Sequence, residues 1–421
     1  LWDTCVREIG EMKLYLFDDA VADGWHPFSL TRPCSELLFG TLLLRERIER
    51  FAGRPTTAVL TRPWLAGFKE PGAPSVMERG FRGADGERLL ISSRFVPSVD
   101  ARFEGRGETP VLLRTDDEIV GCYLPAEVSG PEAAWLEAPD DRAGSSAWKT
   151  TRVEGGHLDT AWRFVAENPG RLTADLAGDA VNRGGVEHLP EGTWKLGPHP
   201  LILGADVHVE PGVLFDTRTG PIRLADGVDV RTGCRLEGPL YVGASTILLG
   251  GTIGMSSIGP VCRLRGEIEE SVILGYTNKA HDGFLGHSYL GRWVNLGAMT
   301  TNSDLKNNYG SIRIGGPDGP VDTGLRKLGC LLGDHVKTAI GTRLNTGTIV
   351  GAGSNLFGDS LPPAWVSPFS WGSDSEGPSY ERDRFLATAR RVMERRHVEF
   401  DEATAAWLAA CWDTADRGDA V

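Results

Sequence analysis

The chain has 421 residues, too long for one ordinary hydrophobic core, so two or more domains are expected. Its 41% apolar and 24% charged residues are those of a folded soluble protein, and a net charge of -13 excludes the cationic surface that nonspecific nucleic-acid binding needs. The seven cysteines form no CxxC pair and are odd in number, which argues against a disulfide framework or a zinc site and for a reducing cytoplasm. The longest apolar run, around Leu37 to Leu44, is too short for a membrane span.

Met12-Lys13-Leu14-Tyr15-Leu16-Phe17 reads as the natural start of a first strand, so residues 1–11 are expected to be an upstream extension that adds little to the fold. Leu14 to Phe17 predicts a short buried strand, followed by an Asp-, Gly- and Pro-rich loop from Asp18 to Pro33. Leu38, Thr41, Leu44, Ile48 and Phe51 recur at helical spacing and predict a helix over 35–51, with Ser35 as its cap. Thr57–Leu60, Leu89–Ile91 and Val111–Leu113 predict strands, and Asp116-Asp117 a hairpin turn. This alternation predicts an α/β domain over 12–190, whose ligands would bind at the carboxyl ends of its strands. Arg32, in Thr31-Arg32-Pro33, is either a phosphate ligand or a surface arginine where a helix begins.

The first strand and its loop resemble nucleotide-sugar pyrophosphorylases. The resemblance implies a nucleotidyltransferase-like domain that takes a nucleoside triphosphate, with Arg32 as the nucleotide-binding candidate and Mg2+ as a possible metal. Two features depart from that family. The Gly-x-Gly-x-Arg loop is missing, and Ser92-Ser93-Arg94 stands where a magnesium-binding aspartate is usual. Trp162 to Leu176 resembles the family's connecting helix, and Gly184 to Gly197 reads as a linker.

A period of six runs through the next stretch. Leu203, Val209 and Phe215 keep it, as do Leu224, Val230, Leu236, Val242 and Leu248, with a second register at Ile222, Val228, Cys234 and Leu240. It resumes at Leu332, Thr338, Leu344, Val350 and Leu356. A fixed short period predicts a solenoid in which inward residues stack coil upon coil, and glycines, 54 in all, turn its corners. Between the two runs, Asn278 to Gly310 concentrates His, Lys, Asn and Asp around the pairs Leu285-Gly286, Leu290-Gly291 and Leu296-Gly297. So many polar side chains in a repeating frame predict an active-site coil. His281 suits a general base because imidazole titrates near neutrality. Lys279 and Lys306 are either anion ligands or solvated charges at a corner. Asn295 and Asn308 are either substrate ligands through their amides or corner residues.

His281 to Thr300 resembles the active-site coil of the bifunctional N-acetylglucosamine-1-phosphate uridyltransferase / glucosamine-1-phosphate N-acetyltransferase family. His281, Leu285-Gly286, Asn295 and Gly297-Ala298 fall at that family's spacing, and Asn308-Tyr309-Gly310 resembles its following segment. NKAHDGF, NLGA and NSDLKN resemble a variant branch, a sugar nucleotidyltransferase fused to an acetyltransferase. The resemblance implies a left-handed parallel β-helix (hexapeptide repeat) over 191–365 that works as a homotrimer in the cytoplasm. It also implies acetyl transfer from acetyl-CoA to an amino-sugar 1-phosphate, and a nucleotide sugar as final product. His281 is then the base. Lys279, Asn295, Lys306, Asn308 and Tyr309 bind the sugar phosphate, and the amide near Ala298 contacts the acyl donor. Phe284 stands where that family has a tyrosine, and Glu269 where it has a phosphate-gripping lysine. His287 matches no family position and is expected either to be structural or to support the site residues from behind.

Pro362, Pro363 and Pro368 are expected to close the solenoid, with Phe369-Ser370-Trp371 packed on its last coil. A helical tail follows over 366–421. Arg390, Arg391, Arg395 and Arg396 in it either meet coenzyme A phosphates or form a solvated face.

Overall fold

The structure, a computed structural model, describes residues 12–80, 86–140, 148–183, 185–186, 188–316, 319–373 and 377–418. The expected extension at 1–11 lies outside them. The chain divides into two compact units. The first takes residues up to Ala22, Pro33–Glu36 and Leu44–Leu158; the second takes Asp23–Arg32, Leu37–Leu43 and everything from Asp159.

The first unit is built on a seven-stranded sheet. Lys13–Phe17 lies at its centre, parallel to Thr56–Thr61 on one side and to Arg88–Ser92 on the other. Val111–Arg114 and Ile119–Leu124 form the expected hairpin, and Lys149–Arg152 closes that edge. Apolar side chains fill both faces of the sheet: Leu14, Leu16 and Ile91 on one, Tyr15, Phe17 and Leu90 on the other. Near-continuous apolar runs, rather than alternation, are what a strand buried on both faces requires. The helix expected over 35–51 is shorter. Leu44–Ala52 is helical, but Leu38–Phe39 and Leu42–Leu43 pair as a small antiparallel ribbon around Gly40, which has φ +66°. Helical spacing at 38 and 41 is therefore coincidental; Gly40 supplies the left-handed conformation that a tight turn needs.

The second unit is a parallel β-helix of many turns, as the period of six predicts. Its strands form three sides. The first runs from Trp194–Leu196 to Phe284–Gly286, the second from Leu201–Leu203 to Trp365–Val366, and the third from His208–Val209 to Asn278–Lys279, all paired in parallel. Leu224, Val230, Leu236, Val242 and Leu248 are buried inside it, and Leu332, Leu344, Val350 and Leu356 continue the same column. Burial of each such side chain contributes roughly 1.5–3 kcal/mol. The Leu-Gly pairs have a steric cause. A Cβ on Gly291 would come within 2.4 Å of Asp334 Oδ1, and one on Gly297 within 2.5 Å of the Ala339 carbonyl, so neighbouring coils close only over glycine.

Corner residues in the left-handed region stack as a column: Tyr276 (φ 55°), Trp293 (φ 63°) and His335 (φ 60°). The Tyr276 and Trp293 rings stack at 4.2 Å, and Trp293 lies nearly parallel to His335 at 6.1 Å. Such backbone costs of order 1–3 kcal/mol per residue, and the aromatic contacts offset part of it. Burial pushes the His335 pKa well below the usual histidine value, so its ring is neutral at pH 7.

Asn168–Arg183 forms most of the expected connecting helix and packs on the β-helix; Asn168 Oδ1 accepts from Ser257 Oγ and the Gly40 amide. The stretch expected as a linker already contains a strand of the first side, Trp194–Leu196. The tail is two helices, Arg382–Glu394 and Glu402–Asp416, with Asp401 capping the second through the Thr404 amide. Phe385 seats the first of these helices, edge-on to His335 and Phe369.

Candidate active site

The third side ends at Lys279, and the corner that follows, His281–Gly283, carries the imidazole. Lys279 occupies the inward position that Leu264 holds one coil earlier. It is 2% exposed, and its Nζ donates to three carbonyls: Arg265 (2.8 Å), His281 (3.1 Å) and Gly283 (2.7 Å). Burial lowers its pKa to about 8 against the attraction of Asp282, so it is an ammonium at neutral pH. Three acceptors around three N–H donors is the satisfied state of a buried ammonium. Lys279 therefore braces the backbone of the His281 corner and faces inward, away from solvent. The His281 side chain itself is exposed.

The next corner stacks on this one. Met299 N–H donates to the Asp282 carbonyl at 3.0 Å, and Gly341 N–H to the Ala298 carbonyl at 2.8 Å. Among the described residues no acceptor meets the Ala298 N–H. Along the same edge Met299, Ile340 and Phe357 are 59%, 79% and 39% exposed, an apolar strip beside His281.

Asn295 stands one coil beyond Asn278 and accepts from its amide at 2.9 Å, an asparagine ladder on the outside of the third side. The other candidates lie on an excursion of the chain after Asn302. Lys306 Nζ donates to Ser311 O at 2.6 Å, Asn308 Oδ1 accepts from the Gly310 amide, and Tyr309 projects into solvent. Hydrogen bonds thus join Asn278 with Asn295 and Lys279 with the His281 backbone, while Lys306 and Asn308 are engaged within the excursion.

Two of the next three residues, Glu270 and Asp304, were not singled out by sequence. Glu270, His287 and Asp304 meet across successive coils: His287 Nε2 is 3.2 Å from Glu270 Oε2, and Nδ1 is 2.8 Å from Asp304 Oδ2 at an angle too bent for an aligned hydrogen bond. Burial alone would lower the His287 pKa, but the two carboxylates overcome it and push it up to about 9. Lys327, where the excursion returns, lies 4.0 Å from Glu269, so an ammonium still reaches the position where lysine gives way to glutamate. The excursion closes at a bridge between Leu305 and Lys327, next to Asp304.

This cluster predicts a pH signature. The folded His287 pKa lies above the unfolded value of about 6.5, so its stabilisation is complete below that pH and is lost as pH rises through about 9. The carboxylates of Glu270 and Asp304 are held below their usual range by His287, and their share is lost on acidification. Denaturant melts should show stability falling by about 2–3 kcal/mol between pH 6.5 and 9, a slope that His287→Gln removes.

In the first unit, charged residues gather at the carboxyl ends of the central strands. Asp18 accepts from Thr61 Oγ1 at 2.6 Å and from the Cys34 amide, with Arg62 at 3.4 Å. Arg94 binds Asp19 at 2.7 Å and Glu118 at 2.8 Å. Asp18 and Asp19 are buried, and the cation they meet is guanidinium. Magnesium needs carboxylate oxygens open to it, so these residues, as arranged, do not fit the Mg2+ that the resemblance made possible; Arg94, in the Ser92-Ser93-Arg94 departure, takes up the Asp19 carboxylate instead. Arg32, the nucleotide-binding candidate, is 1% exposed and pairs with Asp334 of the β-helix at 2.8 Å.

Residues 14–180 match a family described as sugar nucleotidyl transferase. Among curated relatives, a bifunctional sugar-1-phosphate nucleotidylyltransferase/acetyltransferase of Sulfurisphaera tokodaii is 30% identical over 91 residues, 22% of this chain and 23% of that protein. The bifunctional protein GlmU of Herminiimonas arsenicoxydans is 28% identical over 187 residues, 38% and 37% of the two chains, and that of Methanocaldococcus jannaschii 31% identical over 117 residues, 27% and 26%. The chain thus spans well under half the length of these relatives. A solved UDP-N-acetylglucosamine acyltransferase of Arabidopsis aligns at 12% identity over 54% of this chain and 96% of its own, with a TM-score of 0.20, too low to bear on the fold.

Proposed function

We propose that this chain, a relative of bifunctional nucleotidylyltransferase/acetyltransferases with a sugar nucleotidyl transferase domain at 14–180, acylates an amino-sugar 1-phosphate on its β-helix. The observation that carries the reading is the exposed His281 on a corner pinned from within by Lys279, next to the Ala298 N–H and the apolar strip. His281 takes the proton as the neutral amine attacks the thioester carbonyl of acetyl-CoA. The N–C bond forms, the C–S bond breaks, and the proton passes to the departing thiolate. The Ala298 N–H donates to the developing oxyanion, and the strip carries the pantetheine chain or a neighbouring subunit of a homotrimer. Asn295 and the excursion residues Lys306, Asn308 and Tyr309 hold the sugar phosphate, and Lys327 supplies the charge that Glu269 lacks.

The test is coenzyme A release from acetyl-CoA with glucosamine 1-phosphate. A general base is worth roughly 10²–10⁴-fold. His281→Ala should therefore lower kcat by that factor with an unchanged melting temperature, because the side chain is exposed. Undiminished turnover would remove the assignment.

The first unit is proposed to couple this product to a nucleoside triphosphate, on the strength of its family match. The buried Asp19–Arg94 pair, extended to the more exposed Glu118, favours a second reading, a domain that binds without turnover. Pyrophosphate release from UTP with the acetylated sugar phosphate and magnesium supports the first reading; its absence with every nucleoside triphosphate supports the second.

A further inference from the structure

Between the third side of the β-helix and the helix Arg382–Glu394 lies a cavity of ≈ 260 Å³ that the acyl-transfer reading touches only through Asn295. Its floor is the outward ladder Asn278, Asn295 and Lys337, which stand in register on successive coils. Trp293 forms one wall, and Arg395 and Arg396, just past the last turn of the helix, form the other. Lys337 Nζ spends one of its three N–H donors on the His335 carbonyl at 3.0 Å. Among the described residues no carboxylate lines the cavity, and neither Arg395 nor Arg396 has an ion-pair partner.

Three cations converging on a small concave space in an acidic protein need an explanation. Folding alone does not supply one, since like charges held together repel. Arg263, in register with Asn278 one coil earlier, adds to the excess. Burial, then Arg263 and Arg395, pull the Arg396 pKa down, and burial lowers that of Lys337 to about 8; both groups are short of negative charge. The arrangement of two guanidiniums, an ammonium and two carboxamides matches the donor demand of a phosphate dianion, whose oxygens accept charge-assisted hydrogen bonds.

We propose that this cavity is a binding site for an organic phosphate monoester, held by Lys337, Arg395 and Arg396 and oriented by the Asn278–Asn295 ladder. Two ligands of the proposed chemistry carry that group: a sugar phosphate and the 3′-phosphate of coenzyme A. The site is built on the outside of the third side and the end of the helix Arg382–Glu394, so its occupancy also fixes that helix against the solenoid.

Isothermal titration of the full chain with inorganic phosphate, glucosamine 1-phosphate, coenzyme A and dephospho-coenzyme A tests this without turnover. The expected result is binding of a monoester that weakens with salt. Arg395→Gln and Arg396→Gln should each weaken it about ten-fold, the usual share of one charged hydrogen bond. Both are at the surface end of a helix, and their circular dichroism melts should match the parent. Binding of glucosamine 1-phosphate identifies the sugar phosphate as the source; coenzyme A binding that dephospho-coenzyme A loses identifies the 3′-phosphate. His281→Ala should bind with full affinity, which separates this site from the acyl-transfer chemistry. No binding of either monoester, binding of inorganic phosphate alone, or undiminished affinity in the double arginine variant would each overturn the proposal.

Discussion

Lys279→Met is expected to cost about 2–4 kcal/mol of β-helix stability and to lower acyl transfer beyond what the stability loss accounts for. Methionine fills a similar space on the inside of the third side, where Leu264 already shows that an apolar side chain packs. It donates nothing, however, to the carbonyls of Arg265, His281 and Gly283. A buried acceptor left without a donor costs roughly 1–3 kcal/mol, and the exposed corner lets water recover part of that. The functional loss follows from position, since one of the three carbonyls belongs to His281 itself. Gly266→Ala is a second route to the same end, because its Cβ would sit 2.8 Å from Lys279 Nζ at a φ of +99°. The measurement is denaturant unfolding beside coenzyme A release at a temperature where both variants are folded. A Lys279→Met protein with parental stability would mean that the ammonium is not the brace of this corner.

The lysine illustrates what could be read from the chain and what could not. Six-residue spacing of Leu236, Val242 and Leu248 is a direct record of inward stacking, because each repeat places one side chain on the axis. The six-residue step carried on from Leu248 reaches 278, one short of the inward position at 279, because the coils in between are shorter, and a lysine there reads as an outward ligand unless its acceptors are visible. Those come from residues 265, 281 and 283, two of them on the following corner. The Glu270–His287–Asp304 cluster was hidden for a related reason. Glu270 and His287 are one coil apart, but Asp304 is brought in by the coil that opens the excursion, where the period is broken. In the first unit the strands were legible from apolar runs; in the second, Leu38 and Thr41 imitated a helix because a two-residue ribbon around Gly40 has no period of its own. The tail read as helix because its spacing is intact on both sides of the break, and the break itself is fixed by Asp401, an N-cap that only geometry distinguishes from any other aspartate.

Asp334→Ala is expected to destabilise the second unit by about 3–5 kcal/mol, the usual cost of stripping one partner from a buried ion pair. Asp334 Oδ2 accepts from Thr31 Oγ1 at 2.7 Å and from Arg32 Nε at 2.9 Å, while Oδ1 accepts from the Arg292 amide at 2.7 Å. Removing the carboxylate takes one shared acceptor from a buried guanidinium, a hydroxyl and an amide at once. Arg32→Met should cost a similar amount, because it strands the aspartate instead. The double variant Arg32→Met with Asp334→Leu should recover much of the loss, as apolar replacement of a buried pair commonly does. Urea unfolding of the three variants closes the cycle. It also decides between the two readings of Arg32 that its sequence position left open. A structural arginine gives a coupling energy near the size of either single loss. An arginine that serves a nucleotide phosphate gives an Arg32→Met protein with parental stability and weakened nucleotide affinity. With both side chains at 1% and 2% exposure and every oxygen of Asp334 engaged, the first result is the expected one.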